Sequence, residues 1–259
     1  MPSPKTLSSR LRALAAMLFV ALAVGCGTSH VVARAGALTV HTFTRDAAHV
    51  YVLAQGRSLV MIDSGYERNA PSLDEAMRDA GINPAELRAV VVTHGHADHA
   101  GGARYFQQRY GVRLVAGRGD EGMYTSGRME RLCPTGLLAR LRVSGDQASI
   151  FTPTRVDTWV EAPTPLAPFT GIDATVYPLP GHTRGSLVVV AGEAAFVGDL
   201  FRGGIVADTA ETHLYMCDVE GNRADVRRLL GEIAPRVMTY YPGHFGPVDR
   251  DEVLEHFGP

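Results

Sequence analysis

Four side chains able to bind a metal ion fall within one short stretch, Thr93-His94-Gly95-His96-Ala97-Asp98-His99. Imidazole and carboxylate suit zinc and also ferrous or manganous ions, and catalytic sites built from them keep one position open for water. His94 and His96 are two residues apart just after an apolar run, where extended backbone points both side chains the same way. Asp98 and His99 follow where the chain turns into a helix, so they point elsewhere. The stretch therefore offers two half-sites. A catalytic zinc takes about three protein ligands plus water, so further donors must come from later in the chain. Three stand in turn-like contexts behind apolar runs: His182 in Pro180-Gly181-His182-Thr183, Asp199 in Val197-Gly198-Asp199-Leu200, and His244 in Pro242-Gly243-His244-Phe245. A glycine before each permits a tight turn and close approach of backbone to the site. Asp63, at the end of another apolar run, can orient the histidine stretch by hydrogen bonds. His30, His41, His49, His213 and His256 have no comparable context and are read as surface, core or supporting residues.

The elements that must place these groups follow from hydrophobic patterning. Strands are expected over 37–43, 49–54 and 58–62, with Gln55-Gly56 turning between the last two. Ser72 and Glu75 have capping-box spacing ahead of a short amphipathic helix closed by Gly81. A buried strand over 89–93 delivers the histidine stretch, a helix over 98–110 ends at Gly111, and 112–116 is the next strand. Strands over 174–178, 186–191, 194–197 and 237–241 alternate with helices over 223–233 and 249–257. This order suggests two packed sheets with helices outside, an α/β layered architecture. Residues 117–172 are rich in glycine and proline and are expected to face the substrate.

The chain has 259 residues, 46% hydrophobic and 20% charged, with a net charge of −2. That is ordinary for a globular domain and gives no basic footprint for nucleic acid, so the expected partner is a small molecule. The only lysine is Lys5, which excludes a lysine nucleophile from the body of the protein. Residues 1–25 read as an export signal: a basic leader, an apolar stretch too short to span a bilayer comfortably, then small residues. Ala23-Val24-Gly25-Cys26 resembles the lipobox of bacterial lipoproteins, which implies a lipid anchor on Cys26, membrane attachment and an exported mature chain. Cleavage nearer Ala33 to Ala37, discarding Cys26, is the alternative. Cys133 and Cys217 remain and could pair in an oxidising compartment. One domain is expected over 36–259.

His94, His96, Asp98 and His99 match in full the H-x-H-x-D-H motif of the metallo-β-lactamase superfamily. The rest of the mature chain resembles the same family in order: Met61-Ile62-Asp63-Ser64-Gly65, then His182, Asp199 and His244. The resemblance implies an αββα four-layer sandwich with two divalent metal ions, zinc in the first instance and iron or manganese as alternatives. It implies that His94, His96 and His182 bind one ion, that Asp98, His99 and His244 bind the other, and that Asp199 bridges them. Hydrolysis by water activated between the two ions follows, with Asp98 guiding its proton. Asp199 at the bridging position resembles the glyoxalase-II-like thioesterases and lactonases rather than true β-lactamases, so the expected substrate is an ester, thioester or lactone. The glutathione-binding C-terminal domain of glyoxalase II is not expected after His244. A mononuclear iron enzyme similar to the persulfide dioxygenases is the alternative of a different class; β-lactam and phosphodiester hydrolysis are alternatives within the first. Arg184, Arg202, Tyr124, Tyr215 and His213 could contact substrate or equally serve packing or the surface, and none is assigned.

Overall fold

The computed structural model describes residues 28–205 and 208–258. The export leader 1–25 and Cys26 lie outside the described residues. A seven-stranded sheet runs in the order β1 (Ser29–Ala35), β2 (Leu38–Arg45), β3 (Ala48–Gln55), β4 (Ser58–Ile62), β5 (Leu87–Val91), β6 (Arg113–Gly117) and β7 (Thr158–Val160). Pairing is antiparallel through β4 and parallel from β4 to β7. The second sheet is formed by β8 (Thr164–Pro165), β9 (Thr175–Pro178), β10 (Leu187–Ala191), β11 (Ala194–Gly198), β14 (Thr239–Pro242) and β15 (Val248–Asp249), in the order β15-β14-β11-β10-β9-β8. Short strands β12 (Arg202–Gly203) and β13 (Ala210–Glu211) pair separately.

Side chains of the central strands alternate between two cores because the strand period is two. On β4 and β5, Val60, Ile62, Ala89 and Val91 face the second sheet and meet Val189, Phe196 and Tyr241. Met61, Val90 and Val92 face the opposite way, onto Leu73, Met77 and Phe106 of helices Ala70–Asp79 and Ala103–Tyr110. Across the molecule Val188, Ala195 and Val197 pack under Val226, Leu230 and Phe257 of the helical segments Val219–Ile233 and Arg250–Phe257. Three apolar layers thus separate helix, sheet, sheet and helix, the αββα sandwich. Burial on both faces explains the near-continuous apolar runs of β4, β5, β10 and β11.

The differences from the expected elements have physical causes. Strand β1 precedes residue 36 and pairs along the whole of β2; its residues are mostly exposed, so patterning gives it little signal. The Ser72/Glu75 capping box does not form. The helix starts three residues earlier, at Ala70, with Asn69 at its N-cap and Pro71 in its first turn, and the Ser72 hydroxyl donates to Asn69 O at 2.8 Å. The expected helix over 98–110 is split into Ala97–Ala100 and Ala103–Tyr110. The chain there docks onto the turn after β4: Ser64 N donates to His99 O at 2.8 Å and Gly102 N to Gly65 O at 2.9 Å. A Cβ on Gly102 would lie 2.3 Å from Ser64 O, so the contact requires glycine. Within 117–172 a helix, Leu137–Gln147, forms with only Ala139 buried, its leucines lying at the surface rather than in a core. Cys133 and Cys217 form a disulfide. Among the described residues no helix is long and apolar enough to cross a membrane.

Asp74 ties the first helical layer together. Its buried carboxylate accepts from Arg78 Nε at 2.9 Å and from the Tyr105 and Tyr110 hydroxyls at 2.7 Å. Burial would raise this carboxyl, but the donors from Arg78, Tyr110 and Tyr105 outweigh it and hold it below its ordinary value. A depressed folded-state pKa contributes stability above the unfolded-state value and loses it as pH falls. Asp74→Asn is therefore expected to lower the stability of the metal-free protein by about 1–3 kcal/mol at neutral pH. In urea melts the difference should shrink at pH 3; a difference independent of pH would contradict this reading.

Candidate metal centre

The chemistry-bearing residues sit at the same edge of the two sheets. His94, His96, Asp98 and His99 follow β5, Asp63 follows β4, Asp199 follows β11 and His244 follows β14. His182 lies in the loop between β9 and β10. They gather into two groups whose nitrogen or oxygen atoms lie within 4.8 Å of one another, His94, His96, His182 and Asp199, and Asp98, His99 and His244, with a third, overlapping group of Asp199, His213 and His244. Asp199 stands between the first two. Its Oδ2 is 3.6 Å from His94 Nε2, 3.7 Å from His182 Nε2 and 3.5 Å from His244 Nε2, and its Oδ1 is 3.5 Å from His99 Nε2. In the first group His96 Nδ1 faces His182 Nε2 at 3.2 Å; in the second, Asp98 Oδ2 is 3.3 Å from His244 Nε2 and 3.8 Å from His99 Nε2.

These separations test whether the residues fit metal ions. Donors held 2.0–2.2 Å from one tetrahedral ion stand roughly 3.3–3.6 Å apart. Most of the distances fall close to that range and exceed an ordinary hydrogen bond. His94 Nε2 and Asp199 Oδ1 are buried without any hydrogen-bond partner, and buried polar atoms in that state call for a ligand. The donor set and its spacing fit divalent cations.

Protonation equilibria point the same way. Burial pushes the imidazole of His94 well below its ordinary pKa, does the same to His182, and lowers His96 to about 4, leaving these rings in the neutral form that ligates. Burial would lower His99 and His244 too, but the carboxylate of Asp199 and its acidic neighbours overcome it. His99 rises well above its ordinary value and His244 to about 10. Against burial, Asp98 is pulled down by His99 and His244, and Asp199 by His213, His244 and His99. The second group thus favours positive charge, carried by a proton or by a metal ion.

Hydrogen bonds outside the two groups fix the rings. Asp63, turned at φ 60 as β4 ends, accepts from Thr93 N at 2.7 Å and from the Thr93 hydroxyl at 2.9 Å. Its Oδ2 lies 2.8 Å from His99 Nδ1, which leaves Nε2 facing Asp199. His244 Nδ1 is 2.8 Å from Ala47 O, presented by a hairpin turn in which Asp46 and Ala47 both have positive φ. Gly243 brings backbone against the site: a Cβ there would lie 2.4 Å from His99 Cε1 and 2.5 Å from Asp199 Oδ1.

Two contributors have no distinguishing sequence context. Buried Asp120 accepts from Gly95 N, the Thr183 hydroxyl and Gly185 N, each at 2.8 Å, so it joins the loop of His94 and His96 to that of His182. His213 is buried with Nε2 3.1 Å from Asp199 Oδ2, its ring packed against those of His182 and His244. Neither a turn residue in Arg118-Gly119-Asp120 nor a histidine in Thr212-His213-Leu214 carries a motif. Of the other possible substrate contacts, Tyr215 and Arg202 line the cleft above the site, with Arg202 already paired to Glu211. Arg184 borders a neighbouring depression beside His182, and Tyr124 is buried in the core under the first helical layer.

Comparison with known proteins agrees with this geometry. The sequence model described as "Metallo-beta-lactamase superfamily" matches residues 43–244. The hydroxyacylglutathione hydrolase GloC of Haemophilus influenzae is 28% identical over 152 residues, 58% of this chain and 64% of that protein. A hydroxyacylglutathione hydrolase of Xanthomonas campestris is 30% identical over 148 residues, 57% of this chain and 43% of that one. The match thus spans less than two thirds of the length of these relatives. A subclass B3 metallo-β-lactamase of Bradyrhizobium japonicum shares the fold with a TM-score of 0.56 at 19% identity, over 79% of this chain and 74% of that one.

The Asp63 contacts can be tested directly. Asparagine keeps the shape but cannot accept from His99 Nδ1 through its amide nitrogen. Asp63→Asn is expected to weaken metal binding about 10- to 100-fold in competition with a chromogenic chelator; wild-type affinity would show that His99 is oriented by something else.

Proposed function

Because the chain belongs to the metallo-β-lactamase superfamily, we propose that it is a metal-dependent hydrolase acting on an ester, thioester or lactone. The observation that carries this reading is the carboxylate of Asp199, placed between the two groups of donors and within 3.7 Å of imidazoles from both. The relatives named hydroxyacylglutathione hydrolase support the same reaction class. His94, His96 and His182 would hold one ion and Asp98, His99 and His244 the other, with Asp199 shared; zinc suits the nitrogen and oxygen donors.

Divalent ions bound there would supply a lowered pKa for water and polarisation of the substrate oxygen. The residues of the chain do the rest. Asp98, whose side chain is 20% exposed and lines the cleft, is placed to receive a proton from entering water. His213 contacts Asp199 Oδ2 and keeps that carboxylate turned toward both groups. The Asp63 and Ala47 contacts hold the His99 and His244 rings at fixed angles, so little reorganisation is needed on substrate binding.

The basic leader and the lipobox-like sequence ending at Cys26 support an exported, membrane-anchored protein. The Cys133–Cys217 disulfide supports it too, since such bonds persist in oxidising compartments.

The hydrolase reading is tested with metal-loaded protein on a panel of simple esters, thioesters and lactones. Hydrolysis abolished by a chelator and restored by divalent metal is expected, with Asp199→Ala lowering kcat/KM roughly 100-fold or more. Activity that survives both chelation and Asp199→Ala would overturn it.

A further inference from the structure

The cleft over the metal centre is asymmetric. Beside the donors His96, Asp98, Asp199 and His244 its lining includes an apolar wall of Met129, Leu132, Leu138, Leu214 and Tyr215, with the charged groups of Arg142, Asp146 and Arg202 at its margin. Most of that wall lies outside the three main cores, Met129 alone also packing against the core under the first helical layer. Leu132, Ala139 and Tyr215 form a separate small core, with Met129, Val143 and Leu214 packed against it. Two distant segments build it, and they are fastened together beyond what side-chain packing alone would give. The Cys133–Cys217 disulfide joins them, and two backbone hydrogen bonds run alongside, Met216 N to Cys133 O at 2.8 Å and Thr135 N to Leu214 O at 2.9 Å. The Tyr215 hydroxyl is bonded to Asp146 of helix Leu137–Gln147. A wall stapled in this way is preorganised, so it binds a ligand without first being ordered.

Its chemistry selects what binds. The two guanidinium groups at the cleft are already engaged, Arg142 with Asp146 and Arg202 with Glu211. The wall itself offers carbon. The whole cleft is about 170 Å³, close to the roughly 150 Å³ apolar cavity that accepts a benzene ring, which limits an enclosed acyl chain to about six carbons at most. At its mouth the apolar surface continues outward: Leu138 is 48% exposed, and Leu137 and Leu141 on the same helix are 74% and 76% exposed. Leucines exposed together beside a catalytic cleft mark a binding surface more often than chance.

We propose that the substrate carries an apolar acyl chain, which lies along the disulfide-stapled wall of Met129, Leu132, Leu138, Leu214 and Tyr215 while its carbonyl faces the metal centre. This rests on the hydrolase reading of the same site and adds the substrate class to it. Chain selectivity then resides in the wall and not in the ligand residues.

The test uses metal-loaded protein and a series of thioesters and esters with a constant leaving group and acyl chains from acetyl to decanoyl. kcat/KM is expected to rise roughly threefold to fourfold per methylene as each is buried, levelling near six carbons. Leu138→Asp, at a half-exposed position where folding should be retained, is expected to flatten the hexanoyl-to-acetyl ratio at least tenfold. Met238→Ser, exposed on another face, should leave the ratio as it is. A rate that is flat or falls from acetyl to hexanoyl, or that follows leaving-group length instead, would overturn the proposal. If no member of the series is hydrolysed, the ester and thioester form of the hydrolase reading fails and binding decides the chain claim separately. Hexanoate should then stabilise the metal-loaded protein at lower concentration than acetate in thermal melts, and equal potency would overturn it.

Discussion

A carboxylate buried among imidazoles is a demanding arrangement, and the molecule is organised around one. Asp199 has five histidine rings within 3.7 Å and almost no contact with water. Protons can relieve part of the strain, since His99 and His244 are driven upward by the carboxylates they face. They cannot serve the first group, where burial keeps His94, His96 and His182 neutral. A site in which one half prefers added positive charge and the other presents neutral lone pairs is matched to a bound divalent cation.

The fold meets this demand by converging strand ends. β4, β5, β11 and β14 are buried strands whose positions are set by the apolar layers on either side, and each ends in a turn that delivers a functional side chain. Close approach is then a matter of detail. Gly243 leaves no side chain between the backbone and Asp199, the paired glycines after His99 let the helix dock on the turn of Asp63, and Ala47 is held at positive φ where its carbonyl meets His244. Asp63 and Asp120 play parallel parts beneath the two histidine loops. Each converts several backbone or hydroxyl donors into a fixed loop shape.

Legibility in the sequence followed the physics of each feature. Buried strands with apolar residues on both faces were readable to within a residue or two, and the donors at their ends came with them, because a ligand type behind an apolar run and a glycine is an unusual combination. Asp63 was readable from its place at a strand end. Asp120 and His213 were not: their importance comes from tertiary contacts with Thr183, Gly185 and Asp199, far away in the chain. Strand β1 and helix Leu137–Gln147 are not legible because β1 is largely exposed without alternation and the helix turns its leucines 137, 138 and 141 to the surface while burying only Ala139. The capping-box spacing at Ser72 misled because Pro71 had already begun the helix. Pairing of Cys133 with Cys217 was one of two open possibilities, since sequence separation gives no geometry.

The same contrast separates the centre from its wall. The donors are spread along the chain yet announce themselves by type, whereas the apolar wall is made of ordinary leucines whose meaning depends on a disulfide and a small satellite core. The claim on which the rest depends is that Asp199 joins two metal ions. Elemental analysis of protein purified without chelators and saturated with zinc addresses it most directly. Two divalent ions retained per chain after desalting is the predicted result; a single ion, in protein whose circular dichroism shows it to be folded, would contradict a shared centre.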